Sequence, residues 1–411
     1  MTYGCIGEHL SHSFSKEIHN KIETYEYTIR EVARDELDTF MTERKFTAIN
    51  VTIPYKQDVI PYLDEISDIA RSIGAVNTIV NRGGKLYGYN TDFFGMQSCI
   101  TRTGITLAGK KVLILGTGGT SRTAQAVAAA MGAGEIVVVS RTEKPGVITY
   151  EQAYRDHRDA GVILNTTPVG MFPSPGVAPV DIACFPDLSG VFDAIYNPLS
   201  SRLVMDAVEK GIPATGGLYM LVAQAVFAAE KFTGKTYGNT LIDDIYREIF
   251  LSKQNIVLTG MPASGKTTVG KQLAETTGRT FVDTDAEIVK KYGMEIPEIF
   301  EKFGEEGFRE REQDVIAEVG MHSGLVIATG GGAVLRNENI NSLRQNGKIY
   351  FLDRPLDKLL PTPDRPTANS ADAIRKRYGE RYERYCATAD VIFPMGEDPA
   401  DNAQKILNLH K

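Results

Sequence analysis

The sequence predicts an α/β protein in two parts, each a largely parallel sheet flanked by helices. Two strand–turn–helix passages carry that expectation. In the first, Lys111-Val112-Leu113-Ile114-Leu115 runs into Gly116-Thr117-Gly118-Gly119-Thr120-Ser121, then an alanine-rich helix, Ala124 to Met131, and a second apolar run, Glu135 to Val139. In the second, Ile256-Val257-Leu258, edged by Asn255 and Thr259, runs into Gly260 to Thr268, reading GMPASGKTT, and then the helical stretch Val269 to Thr277. Short apolar runs bounded by glycine read as strands buried on both faces.

Each turn has its own chemistry. The first is a βαβ dinucleotide turn in which Gly116, Gly118 and Gly119 let the backbone approach a pyrophosphate, although Ser121 stands where GxGxxG has its third glycine. Folds that bind NAD place an acidic residue at the end of the second strand. Here that position reads Ser140-Arg141-Thr142, with Lys144 just beyond. A guanidinium and two hydroxyls suit a 2′-phosphate, which points to NADP. The second turn fits Gly260-x-x-x-x-Gly265-Lys266-Thr267, a phosphate-binding loop. Its N–H groups and the helix dipole face the phosphates, Lys266 reaches the outer ones, and the Thr267 hydroxyl ligates Mg²⁺.

At 411 residues the chain implies two or three domains. Its hydrophobic content of 42% and charged content of 24% are those of an ordinary globular protein. A net charge of −7 argues against a general nucleic-acid or acidic-membrane partner. Cys5, Cys99, Cys184 and Cys386 are scattered without paired spacing, which fits a reducing cytosol and suggests neither a zinc site nor a disulfide frame. No signal peptide and no membrane-spanning run is expected, so the cytoplasm is the expected compartment. Oligomeric state is not legible.

Residues 1–98 alternate strands (Tyr3 to Ile6, Glu26 to Val32, Ala48 to Ile53 and a hairpin from Val76 to Tyr89) with helices. Hydroxyls, amides, one lysine and one aspartate cluster at the strand ends: Ser11 to Ser15, Asn50 to Lys56, Asn77-Thr78 and Asn90-Thr91-Asp92. Singly, such residues cap helices or face solvent; together they suit a polyhydroxylated small molecule. Residues 99–215 form the dinucleotide-binding part. Its later strands are Gly161 to Leu164, ending in Asn165-Thr166-Thr167-Pro168-Val169-Gly170, and Gly190 to Ile195, ending in Tyr196-Asn197-Pro198. Residues 216–250 supply Gly216-Gly217, a helix from Leu218 to about Phe232 carrying Gln224, and a helix from about Leu241 to Leu251. The junction Ser252-Lys253-Gln254 is too short for a flexible tether.

Residues 1–250 closely resemble the shikimate dehydrogenase family. The resemblance rests on His12-Ser13-x-Ser15, Asn50-Val51-Thr52-x-Pro54-x-Lys56, Gly74-Ala75-Val76-Asn77-Thr78, Gly88-x-Asn90-Thr91-Asp92, Asn165-Thr166-Thr167-Pro168-x-Gly170 and the Gly217-to-Gln224 segment. It implies a catalytic pair of Lys56 and Asp92. It places substrate at Ser13, Ser15, Thr52, Asn77, Asp92, Tyr196 and Gln224, and sets Gly217 with the cofactor residues. It also implies that residues 216–250 return to the substrate domain. Lys16 departs from the family by replacing a proline.

Residues 254–411 resemble the shikimate kinase family. Phe281 to Asp285 reads as a strand ending in two carboxylates, Phe308 to Glu312 lies on a charged helix, Leu325 to Ala328 is a strand before Thr329-Gly330-Gly331-Gly332, and Lys348 to Leu352 is the last clear strand. A basic helix spans about Arg375 to Arg384. The resemblance implies shikimate binding by Asp285, Arg309, Gly331 and Arg381, and a magnesium role for Asp283 beside Thr267. Arg365 matches the lid arginine and, with Gly260, Gly265, Lys266, Thr267 and Thr268, would bind ATP. Ala263 stands at a usual glycine, and the short lid reads Arg365-Pro366-Thr367-Ala368. Together the halves imply a bifunctional enzyme that makes shikimate with NADPH and phosphorylates it with ATP and Mg²⁺. Two alternatives stay open: a quinate-type, NAD-using dehydrogenase fused to a kinase for a similar polyol acid, or a degenerate regulatory half.

Overall fold

The computed structural model describes residues 2–8, 10, 14–359 and 370–410. The chain divides into two compact units, Met1–Glu248 and Ile249–Lys411. Among the described residues the first unit holds two six-stranded sheets and the second one five-stranded sheet.

The strands of the first sheet are β1 (Tyr3–Gly7), β2 (Tyr27–Glu31), β3 (Ala48–Val51), β4 (Glu65–Ile66), β5 (Thr78–Arg82) and β6 (Lys85–Tyr89), in the order β2-β1-β3-β5-β6-β4. The pairs β1–β2, β1–β3 and β4–β6 are parallel, while β3–β5 and the hairpin β5–β6 are antiparallel. The second sheet is parallel throughout: β7 (Lys111–Leu115), β8 (Glu135–Ser140), β9 (Val147–Thr149), β10 (Val162–Asn165), β11 (Val191–Asp193) and β12 (Ala214–Thr215), ordered β12-β11-β10-β7-β8-β9. Val112 to Leu115 are wholly buried, as a strand covered on both faces requires. The strand order reverses around β7, so its C-terminal turn lies at the switch point where such folds bind ligands.

The helices Asp92–Arg102 and Leu218–Thr233 pack at very short range in the first unit. Gly95 permits it: a Cβ there would stand 2.7 Å from the Met220 carbonyl oxygen and 3.0 Å from the Gln224 Cβ.

The second unit is built on β13 (Asn255–Thr259), β14 (Thr280–Asp283), β15 (Leu325–Ala328), β16 (Gly347–Asp353) and β17 (Val391–Pro394), all parallel, in the order β14-β15-β13-β16-β17. Two apolar clusters cover its faces, one around Val257, Ile327 and Phe351, the other around Ile256, Leu258 and Tyr350. The α/β class expected from sequence is the one observed.

Several boundaries differ from expectation. The helix expected from Ala124 begins at Gly119, so Ser121 is a buried residue of its first turn. The helix expected from Val269 begins at Lys266, and the one expected from Leu241 runs Gly238–Lys253, leaving Gln254 alone before β13. The strand expected through Asp285 stops at Asp283; Asp283 accepts a hydrogen bond from the Asp285 N–H at 3.1 Å and so starts the helix Thr284–Tyr292. Sequence reading also missed β17, which follows the strand expected to be last. It is a four-residue edge strand with only Phe393 buried, which leaves little apolar pattern to detect.

Gly95→Val should force the two helices apart and lower the stability of the first unit by ~1–3 kcal/mol, the usual cost of overpacking. Urea unfolding followed by a probe in that unit tests this, and an unchanged midpoint would show that the helices can yield.

Candidate functional site

In the first unit, Lys56 lies on the turn after β3 and Asp92 opens the helix that follows β6. The Lys56 Nζ donates to Asp92 Oδ2 at 2.6 Å, and the two side chains are only 21% and 14% exposed. Neighbouring residues fix both ends of this pair. The Val76 N–H donates to the Lys56 carbonyl at 2.7 Å. Asn77 Oδ1 accepts the Thr91 N–H at 2.8 Å, while its Nδ2 donates to Thr91 Oγ1 at 3.0 Å. Asn90 Oδ1 accepts from the Phe93 N–H at the start of the Asp92 helix. A second layer supports the first: the Tyr27 hydroxyl donates to Asn50 Oδ1, and Asn50 Nδ2 to Thr78 Oγ1.

The other expected substrate residues are distributed around this centre. Thr52 is half-buried beside Gly7, and its N–H donates to the Ile6 carbonyl at 3.0 Å. Ser15 begins the helix Ser15–Ile22. The Tyr196 ring meets Phe14, with centroids 5.4 Å apart. Gln224 sits against Gly95, one turn beyond Asp92, and donates to the Leu221 carbonyl. Among the described residues no hydrogen bond joins Tyr196 or Gln224 to the Lys56–Asp92 pair. Ser13 lies outside the described residues. Asn77 is buried and engaged with Thr91, so in this geometry it holds the Asp92 loop.

The dinucleotide turn stands at the end of β7. Gly116 has φ +107°, and a Cβ there would meet Thr166 Oγ1 at 2.9 Å, so a side chain is excluded both by conformation and by space. Gly118 and Gly119 open the helix Gly119–Ala130 and face open space, which leaves room for a pyrophosphate at the helix N-terminus. Ser140 ends β8; Arg141 and Thr142 are exposed just past it, and Arg141 lies near enough to Tyr150 to act on its hydroxyl electrostatically. Gly217 precedes the helix Leu218–Thr233.

A buried network that sequence reading did not single out holds the ends of β10 and β11. Asp193 accepts from Asn165 Nδ2 at 3.0 Å, the Ile195 N–H at 3.0 Å and Ser201 Oγ at 2.5 Å. Burial pushes the Asp193 carboxyl up to about 6, against the pull of those hydrogen bonds.

In the second unit two cavities of about 420 Å³ each share Asp283 and Asp285 in their walls. One is lined by Arg309, Glu312, Gly331 and Arg381; the other by Gly265, Lys266, Thr267 and Thr268. The Lys266 ammonium donates to the carbonyls of Gly260 and Met261 at 2.8 and 2.9 Å. Thr267 Oγ1 donates to Asp283 Oδ2 at 2.9 Å, a hydroxyl–carboxylate pair whose hard oxygens suit Mg²⁺ together with phosphate. Arg309 is buried, its Nη1 donating to Glu312 Oε2 at 2.7 Å. A Cβ at Gly332 would lie 2.1 Å from Arg309 Nη1. Arg381 donates to the Gly331 carbonyl at 3.0 Å, and the Tyr385 hydroxyl donates to the same carbonyl. Arg365 lies outside the described residues.

Sequence reading missed Glu312, Gly332, Arg354 and Lys358. The first two carried a signal, the i,i+3 spacing from Arg309 and the glycine triplet. The last two line the phosphate cavity only because β16 neighbours β13.

Known proteins resemble both units. The model of the shikimate dehydrogenase substrate binding domain matches residues 5–79, and the shikimate kinase model matches residues 262–411. A shikimate dehydrogenase (NADP(+)) of Clostridium beijerinckii is 37% identical over 262 residues, covering 59% of this chain and 96% of its own. The chain belongs to the shikimate dehydrogenase family. Its C-terminal part is a shikimate kinase domain. A chorismate mutase/shikimate 5-dehydrogenase fusion from Clostridium acetobutylicum is 34% identical with a TM-score of 0.57, covering 60% of this chain and 96% of its own. The shikimate 5-dehydrogenase of Thermus thermophilus, solved with NADP(H) and shikimate, is 29% identical with a TM-score of 0.54, covering 60% of this chain and 99% of its own. The chain is therefore a bifunctional shikimate-pathway enzyme, and neither the quinate-type fusion nor the degenerate half gains support.

The dehydrogenase unit should show one distinct pH response. The unfolded Asp193 carboxyl titrates near 3.8 and the folded one near 6. Its contribution to stability is therefore complete below pH 3.8 and is lost as pH rises through about 6, a span worth roughly 3 kcal/mol. Measured by urea unfolding, wild type should lose stability relative to Asp193→Asn across that window. A constant difference would show that Asp193 titrates normally.

Proposed function

We propose that the dehydrogenase unit reduces 3-dehydroshikimate to shikimate with NADPH, and that the kinase unit transfers the terminal phosphoryl group of ATP to shikimate, giving shikimate 3-phosphate. The observation that carries the reading is one chain holding both a half-buried Lys56–Asp92 pair and an arginine-lined cavity that opens, through Asp283 and Asp285, onto a phosphate loop.

In the first reaction NADPH supplies the hydride. Negative charge then develops on the carbonyl oxygen, where the Lys56 ammonium stabilises it and donates the proton. Asp92 holds the ammonium in place and accepts from a substrate hydroxyl. Thr52, Asn77, Tyr196, Gln224, Ser13 and Ser15 complete the substrate site, and Gly116, Gly118, Gly119, Ser140 to Thr142 and Gly217 hold the cofactor. Arg141 reads the 2′-phosphate.

Phosphoryl transfer needs positioning and charge neutralisation more than covalent chemistry. Lys266, seated among the loop carbonyls, reaches the outer phosphates. Thr267 and Asp283 would hold Mg²⁺, which would supply positive charge against the phosphates. Arg309 and Arg381 clamp the substrate carboxylate, and Asp285 orients the acceptor hydroxyl. Gly331 shapes the acid cavity, and Arg365 acts from the lid.

A coupled assay tests the whole reading: 3-dehydroshikimate, NADPH and ATP-Mg²⁺ should yield shikimate 3-phosphate. Lys56→Ala should cut reductase turnover by ~10²–10⁴-fold and leave phosphorylation of added shikimate unchanged. Near-normal reduction by that variant would remove Lys56 from the chemistry. For cofactor choice, Arg141→Asp should raise the KM for NADPH far more than that for NADH, since it replaces a phosphate partner with a repelling charge. An unchanged preference would place the 2′-phosphate contact elsewhere.

A further inference from the structure

The phosphate cavity contains two cations that the family motifs do not account for, Arg354 and Lys358. Their position follows from the sheet. β16 pairs directly with β13, with Phe351 opposite Thr259, so the residues just past β16 emerge beside the loop that follows β13. Arg354 lies one residue beyond the end of β16, and its Nη1 is 3.8 Å from where a Gly265 Cβ would stand. Its guanidinium is therefore poised over the phosphate loop, on the Lys266 and Thr267 side of the cavity.

Two observations show that Arg354 is not satisfied as a structural residue. Its Nε is buried and has no hydrogen-bond partner among the described residues. Its ion-pair partner among the described residues, Glu397, stands 4.0 Å away, beyond hydrogen-bond reach, and Glu397 is bonded instead to Lys358. An arginine that is largely shielded yet weakly paired among the described residues, beside a phosphate loop, can offer its terminal N–H groups to a polyanion. Guanidinium matches phosphate oxygens in a bidentate fork, which an ammonium cannot do. The cavity also needs such a charge, because Asp283 and Asp285 in its wall oppose Lys266.

We propose that Arg354 binds the polyphosphate of the nucleotide, with Glu397 restraining its approach and Lys358 adding a more exposed second cation. The assignment rests on the kinase reading above and names a phosphate contact that does not depend on the lid.

Calorimetric titration of the full chain with ATP, ADP and inorganic tripolyphosphate tests it, alongside kinase kinetics. Arg354→Ala should weaken ATP and tripolyphosphate binding by about 10- to 100-fold, the usual effect of losing charge-assisted hydrogen bonds. The KM for ATP should rise with it, while the KM for shikimate stays fixed. Arg354→Lys, which keeps the charge and the stem, should fall between wild type and alanine, and Lys358→Ala should show a smaller loss than Arg354→Ala. Equal ATP binding by wild type and both Arg354 variants overturns the proposal. A loss for ATP without a loss for tripolyphosphate also overturns it, since the contact would then be to the nucleoside. If wild type binds ATP but does not phosphorylate shikimate, the acceptor reading fails while the comparison of variants still decides the role of Arg354. No ATP binding by wild type defeats both.

Discussion

Asp283 spends its two carboxylate oxygens on two different elements. Oδ1 accepts from the Asp285 N–H and so starts the helix that carries Asp285; Oδ2 accepts from Thr267 on the first turn of the phosphate-loop helix. The residue also ends β14, so one side chain joins the sheet and the walls of both cavities. Phosphoryl transfer requires donor and acceptor to be held in line at close range. A single carboxylate common to both cavities meets that requirement more rigidly than two separate loops would. The geometry also explains why Asp285 belongs to a helix start rather than to a strand end. Its N–H is one of the donors a helix terminus leaves unpaired, and Asp283 satisfies it.

The dehydrogenase unit solves a similar problem with amides. Asn77 uses both ends of its carboxamide on Thr91, which fixes the residue just before Asp92. Asn50 takes a hydrogen bond from Tyr27 and gives one to Thr78, and Thr78 in turn bonds Asn77. Buried amides left without partners would cost about 1–3 kcal/mol each. Because each partner is itself held by another, the network admits few alternative arrangements, and the Lys56–Asp92 distance is set by residues that never touch it.

What was legible in the sequence followed from local patterns. Buried parallel strands such as Val112 to Leu115 and Ile256 to Leu258 announce themselves as apolar runs, and the glycine turns after them follow directly. Lys56, Asp92, Lys266 and Asp285 stand out in the sequence because motifs at fixed spacing surround them. What escaped notice depends on tertiary placement. Arg354 and Lys358 sit far along the chain from the phosphate loop, and nothing near them in sequence signals it. Asp193 looks like an ordinary strand-end aspartate, and only burial beside Asn165 and Ser201 sets it apart. The short strands β4 and β12, two residues each, lie below the length at which alternation can be read.

The Arg309–Glu312 pair shows why burial of charge here reflects position rather than stability. Glu312 is fully buried, and burial pushes its carboxyl up against the pull of Arg309; its Oε1 has no hydrogen-bond partner among the described residues. Such a pair gains little over a packed apolar pair of the same size, because desolvation offsets most of the attraction. Its effect is steric and directional. Glu312 takes one edge of the guanidinium, and the backbone at Gly332 closes on it so tightly that a Cβ would overlap Nη1. Held in this way, Arg309 has little conformational freedom left to lose, and the ordering cost that weakens contacts made by mobile arginines has been met during folding. Arg381 is anchored to the Gly331 carbonyl, in the same glycine segment. The glycine triplet therefore touches both of the arginines that line this cavity.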